Sequence, residues 1–320
     1  MNRAFYASRF SRRQFLAGAC GAAAAVAGGV RRTSGKDDAG PRLKVAAVFT
    51  EFTFRSHAHV ILENFLEPYL FNGRRTEPGI EVLSFYGDQF PKGDMSRAVA
   101  KKYGITIYPT IAEALCLGGE QLAVDAVLSI GEHGNYPVNA KGQTEYPRKR
   151  FFDEIVAVFE RSDQVAPVFN DKHLSYRWDW AKQMYDTAQR LRVPLMAGSS
   201  VPLAQRRPPL ELPEGAKIAA AVSVHGGPPE GYGFHALEVL QSFVEARAGG
   251  ETGISRVEYF EGDALWRAAN EAKWWPPLAH AAMAAELGAG QPPIAELARK
   301  LGVAKRSHGI LVHYRDGLRG

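Results

Sequence analysis

Runs of Val, Ile, Leu and Ala alternate along this chain with stretches whose apolar residues recur at helical spacing. Leu43–Thr50 (LKVAAVFT) predicts a strand buried on both faces, and Ala58–Leu70 a helix. Ile80–Tyr86 predicts a second strand, and Met95–Tyr103 a helix closed by Gly104, a natural C-cap. A short strand at Ile105–Tyr108, a helix at Ile111–Leu117 and a strand at Ala123–Ile130 (AVDAVLSI) follow. Next come helix Lys149–Arg161, strand Ala166–Phe169, helix Trp178–Leu191 and strand Pro194–Ala197. Unbroken apolar strands separated by helices indicate a parallel sheet covered on both faces, an α/β architecture.

The Pro-rich stretch Pro202–Pro213 (PLAQRRPPLELP) marks a domain boundary. It divides a parallel-sheet domain at 41–205 from a smaller α/β domain at 206–320. The second domain is expected to hold strand Lys217–Val224, helix Phe234–Ala246 and strand Ser255–Phe260. Helical segments near Ala264–Ala272 and Pro277–Leu287 precede a final strand, Gly309–Tyr314, and the turn Arg315-Asp316-Gly317. Only three residues follow that turn, too few for a full hairpin strand, so this domain reads as incomplete or as pairing its last strand elsewhere.

With 46% hydrophobic and 23% charged residues in 320, the chain is globular rather than disordered or collagen-like. The net charge of +5 resides in the leader. Residues 1–36 hold seven basic residues and no acid, so the remainder carries −2 and gives no reason to expect nucleic acid. Ser11-Arg12-Arg13-Gln14-Phe15-Leu16 followed by the small-residue run Ala17–Val30 reads as a twin-arginine export signal. That signal implies a periplasmic protein, exported already folded by the twin-arginine machinery. Of two cysteines, Cys20 lies in the leader, which leaves Cys116 without an internal disulfide partner.

Ligands of open parallel sheets bind beyond the carboxyl ends of the strands. Polar clusters stand at those positions here: Thr50–His59, Asp88-Gln89, Glu132–Pro137, Asn170–His173 and Gly198–Ser200, with His225 and Tyr232–His235 farther on. Six of the nine histidines (His57, His59, His133, His173, His225 and His235) lie in or beside these loops. Histidine, lysine and carboxylates gathered at one edge suit proton transfer, recognition of substrate hydroxyls, or a metal. Lys172, just past a buried strand, is placed either to be held with a lowered pKa or to donate to a substrate oxygen.

Two of these stretches carry a family resemblance. Asp171-Lys172-His173-Leu174, between strand APVF and helix WAKQMYDTAQRL, resembles the Glu-Lys-Pro-Leu segment of the glucose–fructose oxidoreductase and inositol 2-dehydrogenase family. Gly233-Phe234-His235-Ala236-Leu237-Glu238 resembles that family's Gly-x-His-x-x-Asp segment. Ala100–Gly104, followed by strand, helix and Val124-Asp125-Ala126-Val127, is similar to its nucleotide domain. The similarity spans residues 43–262. It implies a Rossmann domain followed by an α/β domain, with NAD or NADP between them. Lys172 and His235 would be the catalytic residues, and Asp88 the contact to the adenosine ribose. Arg55 and Glu132 join Asp88 as candidate cofactor contacts; His133, Tyr136, His173 and Tyr232 are candidate substrate contacts. The family's first loop is glycine-rich, whereas Thr50–Ala58 has no glycine, and Arg55 is its one residue suited to a phosphate.

Three functions remain open on these residues. The first is an exported NAD(P)-dependent oxidoreductase acting on a sugar or polyol, as a monomer or a homo-oligomer. The second is a non-catalytic Rossmann-like protein that binds a carbohydrate or a partner. The third is a metal-dependent hydrolase or isomerase, with ligands drawn from His57, His59, Glu132, His133, Asp171, His173 and His235. Export has a direct check. Replacing Arg12 and Arg13 with Lys should hold the protein in the cytoplasm on cell fractionation, and unchanged periplasmic recovery would remove the assignment.

Overall fold

Strand β1 (Leu43–Phe49) forms the middle of the sheet because its last five residues are apolar and small enough to be covered on both sides. Val45, Ala47 and Phe49 point to one face, and Ala46 and Val48 to the other, as the period of two requires. The computed structural model describes residues 42–320 except 72, 200, 205, 207, 208, 214, 273 and 274. The twin-arginine segment and Ser200 therefore lie outside the described residues.

After β1 come helix α1 (His57–Leu66), the short hairpin β2 (Tyr69–Phe71) and β3 (Arg74–Thr76), and strand β4 (Ile80–Gly87). Helix α2 (Ser96–Tyr103), strand β5 (Thr106–Ile107), helix α3 (Ile111–Cys116) and strand β6 (Ala126–Ile130) follow. Helix α4 (Arg148–Ser162), strand β7 (Val168–Asp171), helix α5 (Trp178–Leu191) and strand β8 (Leu195–Gly198) complete the first half. The six parallel strands lie in the order β5-β4-β1-β6-β7-β8. Among these six, counted along the chain, that order is 3-2-1-4-5-6, which makes the domain Rossmann-like. Order reverses between β1 and its neighbours β4 and β6, so the crevice of such a sheet opens above β1.

Each face has its own core. Ala58, Leu62 and Ala100 from α1 and α2 pack with Phe49, Phe52 and Phe85 on one side. Phe151, Phe152, Ile155 and Phe159 of α4, with Met184 and Ala188 of α5, fill the other. Local signals set the helix ends. Ser56 accepts from the His59 amide at the start of α1, Thr110 caps α3, and Gly104 closes α2 at φ +71°.

Past residue 206 the chain forms helix α6 (Phe234–Val244), strand β9 (Ile254–Glu261), helices α7 (Asp263–Ala272), α8 (Trp275–Leu287) and α9 (Ile294–Lys300), and strand β10 (His308–Tyr314). β9 and β10 pair antiparallel as a two-stranded sheet. The strand expected at Lys217–Val224 does not form; a ladder needs a continuous partner, and only Ala220 meets one, in a single bridge to Arg319. The last residues do turn back. Val312 and Gly320 exchange both backbone hydrogen bonds, and Leu318 O accepts from Tyr314 N at 2.9 Å. Residues 42–320 cluster as one unit, and no helix among the described residues is long and apolar enough to cross a membrane.

Candidate functional site

Glu132, two residues beyond β6, ties three loops together. One carboxylate oxygen accepts from Lys172 Nζ at 3.0 Å, just past β7. The other accepts from Arg148, the first residue of α4, and its backbone oxygen accepts from the Thr50 hydroxyl at the end of β1. The side chains of Lys172 and Arg148 are only 7% and 3% exposed. Burial alone would raise the Glu132 pKa, but the charges of Arg148 and then Lys172 hold it below the usual carboxylate range. Gly131 permits this crossing, since a Cβ there would lie 2.7 Å from Arg148 Cγ.

A second pair stands beside the first. His57, the first residue of α1, donates from Nδ1 to Asp171 Oδ2 at 2.6 Å. His133 is held at φ +70° and followed by Gly134 at φ +93°, a sharp turn that lays its ring 5.0 Å from that of His57. Its buried Nε2 has no hydrogen-bond partner among the described residues. Burial, then the His57 charge, pushes the His133 pKa down.

β8 and α6 supply the third side. Ser199 Oγ lies 2.6 Å from His235 Nδ1 and accepts from Val201 N at 3.0 Å. Glu238, one turn along α6, accepts from Ser199 N at 3.3 Å. Gly198 leaves room for that carboxylate, because a Cβ would come within 2.7 Å of it. Burial lowers the His235 pKa, and the nearby charges of Lys172 and His57 lower it further. The ring of His173 packs 5.6 Å from Phe234, and burial, followed by Arg148, pushes its pKa down to about 4.

Asp88 belongs to a separate cluster at the end of β4. Its carboxylate accepts from Tyr86 and Tyr136 hydroxyls, each at 2.7 Å, and from Arg150 at 2.5 Å. Burial would raise its pKa, but those three hydrogen bonds, Tyr136 foremost, hold it low. Beside it Gln89 exchanges two hydrogen bonds with the Asn135 backbone.

The structure thus gathers Lys172, Glu132, His133 and His235 at one edge, with His173 packed beside them. Asp88 and Tyr136 meet each other instead. Arg55 is exposed at φ +64°, with its guanidinium over the Phe54 ring, and Tyr232 is half exposed, its ring 6.4 Å from that of His235. His59 does not join His57; its Nδ1 accepts from Arg55 N at 3.1 Å. Arg148 and Tyr146 escape the sequence reading. Nothing in the segment Tyr146-Pro147-Arg148 signals that the arginine is buried, and Gly131 gives no sign of what crosses it.

No family model matches the chain, and no curated protein matches it. In fold it is similar to a protein of Bordetella bronchiseptica RB50 named as a dehydrogenase, with TM-score 0.47 and 13% identity over 87% of this chain and 59% of that one. GenD2 from gentamicin A biosynthesis, in complex with NAD, gives TM-score 0.45 and 16% identity over 92% of this chain and 67% of that one. An oxidoreductase from Agrobacterium radiobacter, in complex with NAD+, L-tartaric acid and magnesium, gives 0.44 and 14% over 87% and 65%. The chain spans between 59% and 67% of the length of these three proteins.

The residues at the crevice do not fit a dinucleotide docked in the glycine-loop manner. Phe52, 1% exposed, fills the loop after β1 and packs against Phe49 and Phe85. Ser56 already caps one of the α1 amides that would otherwise meet a pyrophosphate. The carboxylate expected at the ribose is engaged by Tyr86, Tyr136 and Arg150, and His57 reaches across to Asp171. A metal fares no better. His57, Glu132 and Asp171 offer ligand atoms within 4.8 Å of one another, but both Glu132 oxygens and one of Asp171 are already taken. A divalent ion there would face two buried cations.

Glu132 carries a testable consequence. Glu132→Gln should destabilise the fold by about 3–5 kcal/mol in urea, because Arg148 and Lys172 both lose their buried counter-charge. A loss below ~1 kcal/mol, the scale of an exposed pair, would show that these cations do not depend on it.

Proposed function

We propose that the carboxyl-edge cluster is the catalytic centre of an enzyme that moves a proton at a hydroxyl-bearing carbon next to the carbonyl of a small sugar, the C–H electron pair passing to the carbonyl oxygen as an enediolate. The observation that carries this reading is an oriented histidine near a lysine that is itself paired to a carboxylate. Burial and nearby cations keep His235 neutral near pH 7. In the tautomer whose Nδ1–H donates to Ser199 Oγ, its Nε2 lone pair serves as general base. Lys172, paired to Glu132, donates to the oxygen on which negative charge develops. His57, backed by Asp171, is a second proton carrier, which an isomerisation or epimerisation needs for the return step.

Oxidation of the same hydroxyl with NAD(P) is the second reading. It is favoured by the strand order, which is that of dinucleotide-binding sheets. His235 would take the C–H proton next to the carbonyl in the first reaction and the hydroxyl proton in the second, where the hydride on the same carbon would pass to the nicotinamide. In either case we take the protein to be exported folded through the twin-arginine pathway, as Arg12-Arg13 suggests.

A panel of sugars and polyols, followed in D2O by NMR for deuterium entering carbon positions and by absorbance for NAD(P)H, separates the two. His235→Asn and Lys172→Met should each lower turnover by about 10²–10⁴. The acid limb of kcat/KM should lie below pH 6.5, because the base works only when deprotonated and its pKa is depressed. Turnover untouched by both substitutions would move the chemistry elsewhere.

A further inference from the structure

A cavity of about 480 Å³ opens between the first turns of α4 and α5, outside the cluster described above. Its walls are the rings of Tyr146, Tyr176 and Trp180 together with Glu145, Arg150 and Glu154. Tyr176 and Trp180 meet edge to face at 5.4 Å, so the two rings form a corner. All three rings are only partly buried and present apolar surface to solvent.

The charges around the groove decide what it can hold. Its basic residues are already answered: Lys149 pairs with Asp153 at 2.5 Å, and Arg150 with both Glu154 and Asp88. With Asp153 and Glu154 answered by the same pairs, the lining offers an anion no unmatched cation, and Glu145 adds a negative charge. A cation would be repelled by the guanidinium already over one face of each of two rings, Arg177 at 4.5 Å from Trp180 and Arg148 at 4.9 Å from Tyr146. A neutral ligand remains, with apolar faces for the rings and many hydroxyls for the carboxylates and guanidinium. That is the chemistry of a pyranose. The cavity falls within the ~300–1,000 Å³ of small-ligand sites, more than one sugar ring fills.

Tyr146 joins this groove to the catalytic cluster. Its ring lies 4.9 Å from the guanidinium of Arg148, which holds Glu132. We propose that the groove formed by Tyr146, Tyr176 and Trp180 is a carbohydrate subsite that binds a second, neutral sugar unit of the substrate. This deepens the catalytic reading and rests on it for the word substrate, while binding itself stands independently.

The test is quenching of intrinsic fluorescence, checked by calorimetry, with maltose, cellobiose and N,N′-diacetylchitobiose, against glucose and mannitol as single-unit probes. At least one disaccharide should bind about tenfold more tightly than either single unit. Trp180→Ala should weaken it by at least about tenfold, a factor worth ~1.4 kcal/mol, and Trp180→Phe should retain most of the binding. His235→Asn, designed to stop turnover, should leave it in place, so failure of the groove and failure of the catalytic reading are told apart. Absence of binding by all three disaccharides, equal affinity for the single units, or tighter binding of tetramethylammonium would each overturn the proposal.

Discussion

One buried carboxylate organises the carboxyl edge of this sheet. Glu132 is held by a lysine from the loop after β7, an arginine from the start of α4 and, through its backbone, a threonine from the end of β1. Each partner comes from a different element, so a single residue sets the relative positions of three. Two cations share one carboxylate there. Burial, joined by Lys172 and then His57 at His235 and by His57 foremost at His133, lowers the pKa of both imidazoles and favours the neutral form that accepts a proton.

The same cross-ties change what the Rossmann-like scaffold can do. In sheets of this order the space above the central strand receives a dinucleotide, which needs bare backbone after the first strand and a free acid after the second. Here the first requirement is met by neither Phe52 nor Ser56. The second fails because Asp88 is hydrogen-bonded by Tyr86, Tyr136 and Arg150. Side chains from the loops after β4, β6 and β7 occupy with hydrogen bonds the region that a cofactor would otherwise organise. What remains at this edge is two proton-carrying pairs, His57–Asp171 and Ser199–His235.

The parallel sheet was legible because its strands are continuous apolar runs, and the helix between β7 and β8 because its periodicity is strong and its ends are clear. Trp178–Leu191 forms over the predicted span. Lys217–Val224 misled because alternating apolar residues describe a strand only when a neighbour is there to pair with, and sequence pattern does not report neighbours. The gathering of Glu132, Lys172, His133 and His235 could be read from their placement after buried strands. Arg148 could not, since its burial follows from a long-range ion pair and from the empty space above Gly131. Asp88 shows the opposite limit: the position was legible, but its three donors, two of them from beyond residue 130, were not.

Calorimetric titration of the protein with NAD and with NADP tests most directly whether side chains have closed the dinucleotide crevice. Binding should be weak, because each charge-assisted hydrogen bond lost from the pyrophosphate costs roughly 1.5–3 kcal/mol. What binding there is should depend on Arg55, the exposed guanidinium beside α1, and should fall in Arg55→Ala. Submicromolar affinity that survives the Arg55 substitution would contradict the account, since it would require an open crevice that holds the phosphates elsewhere.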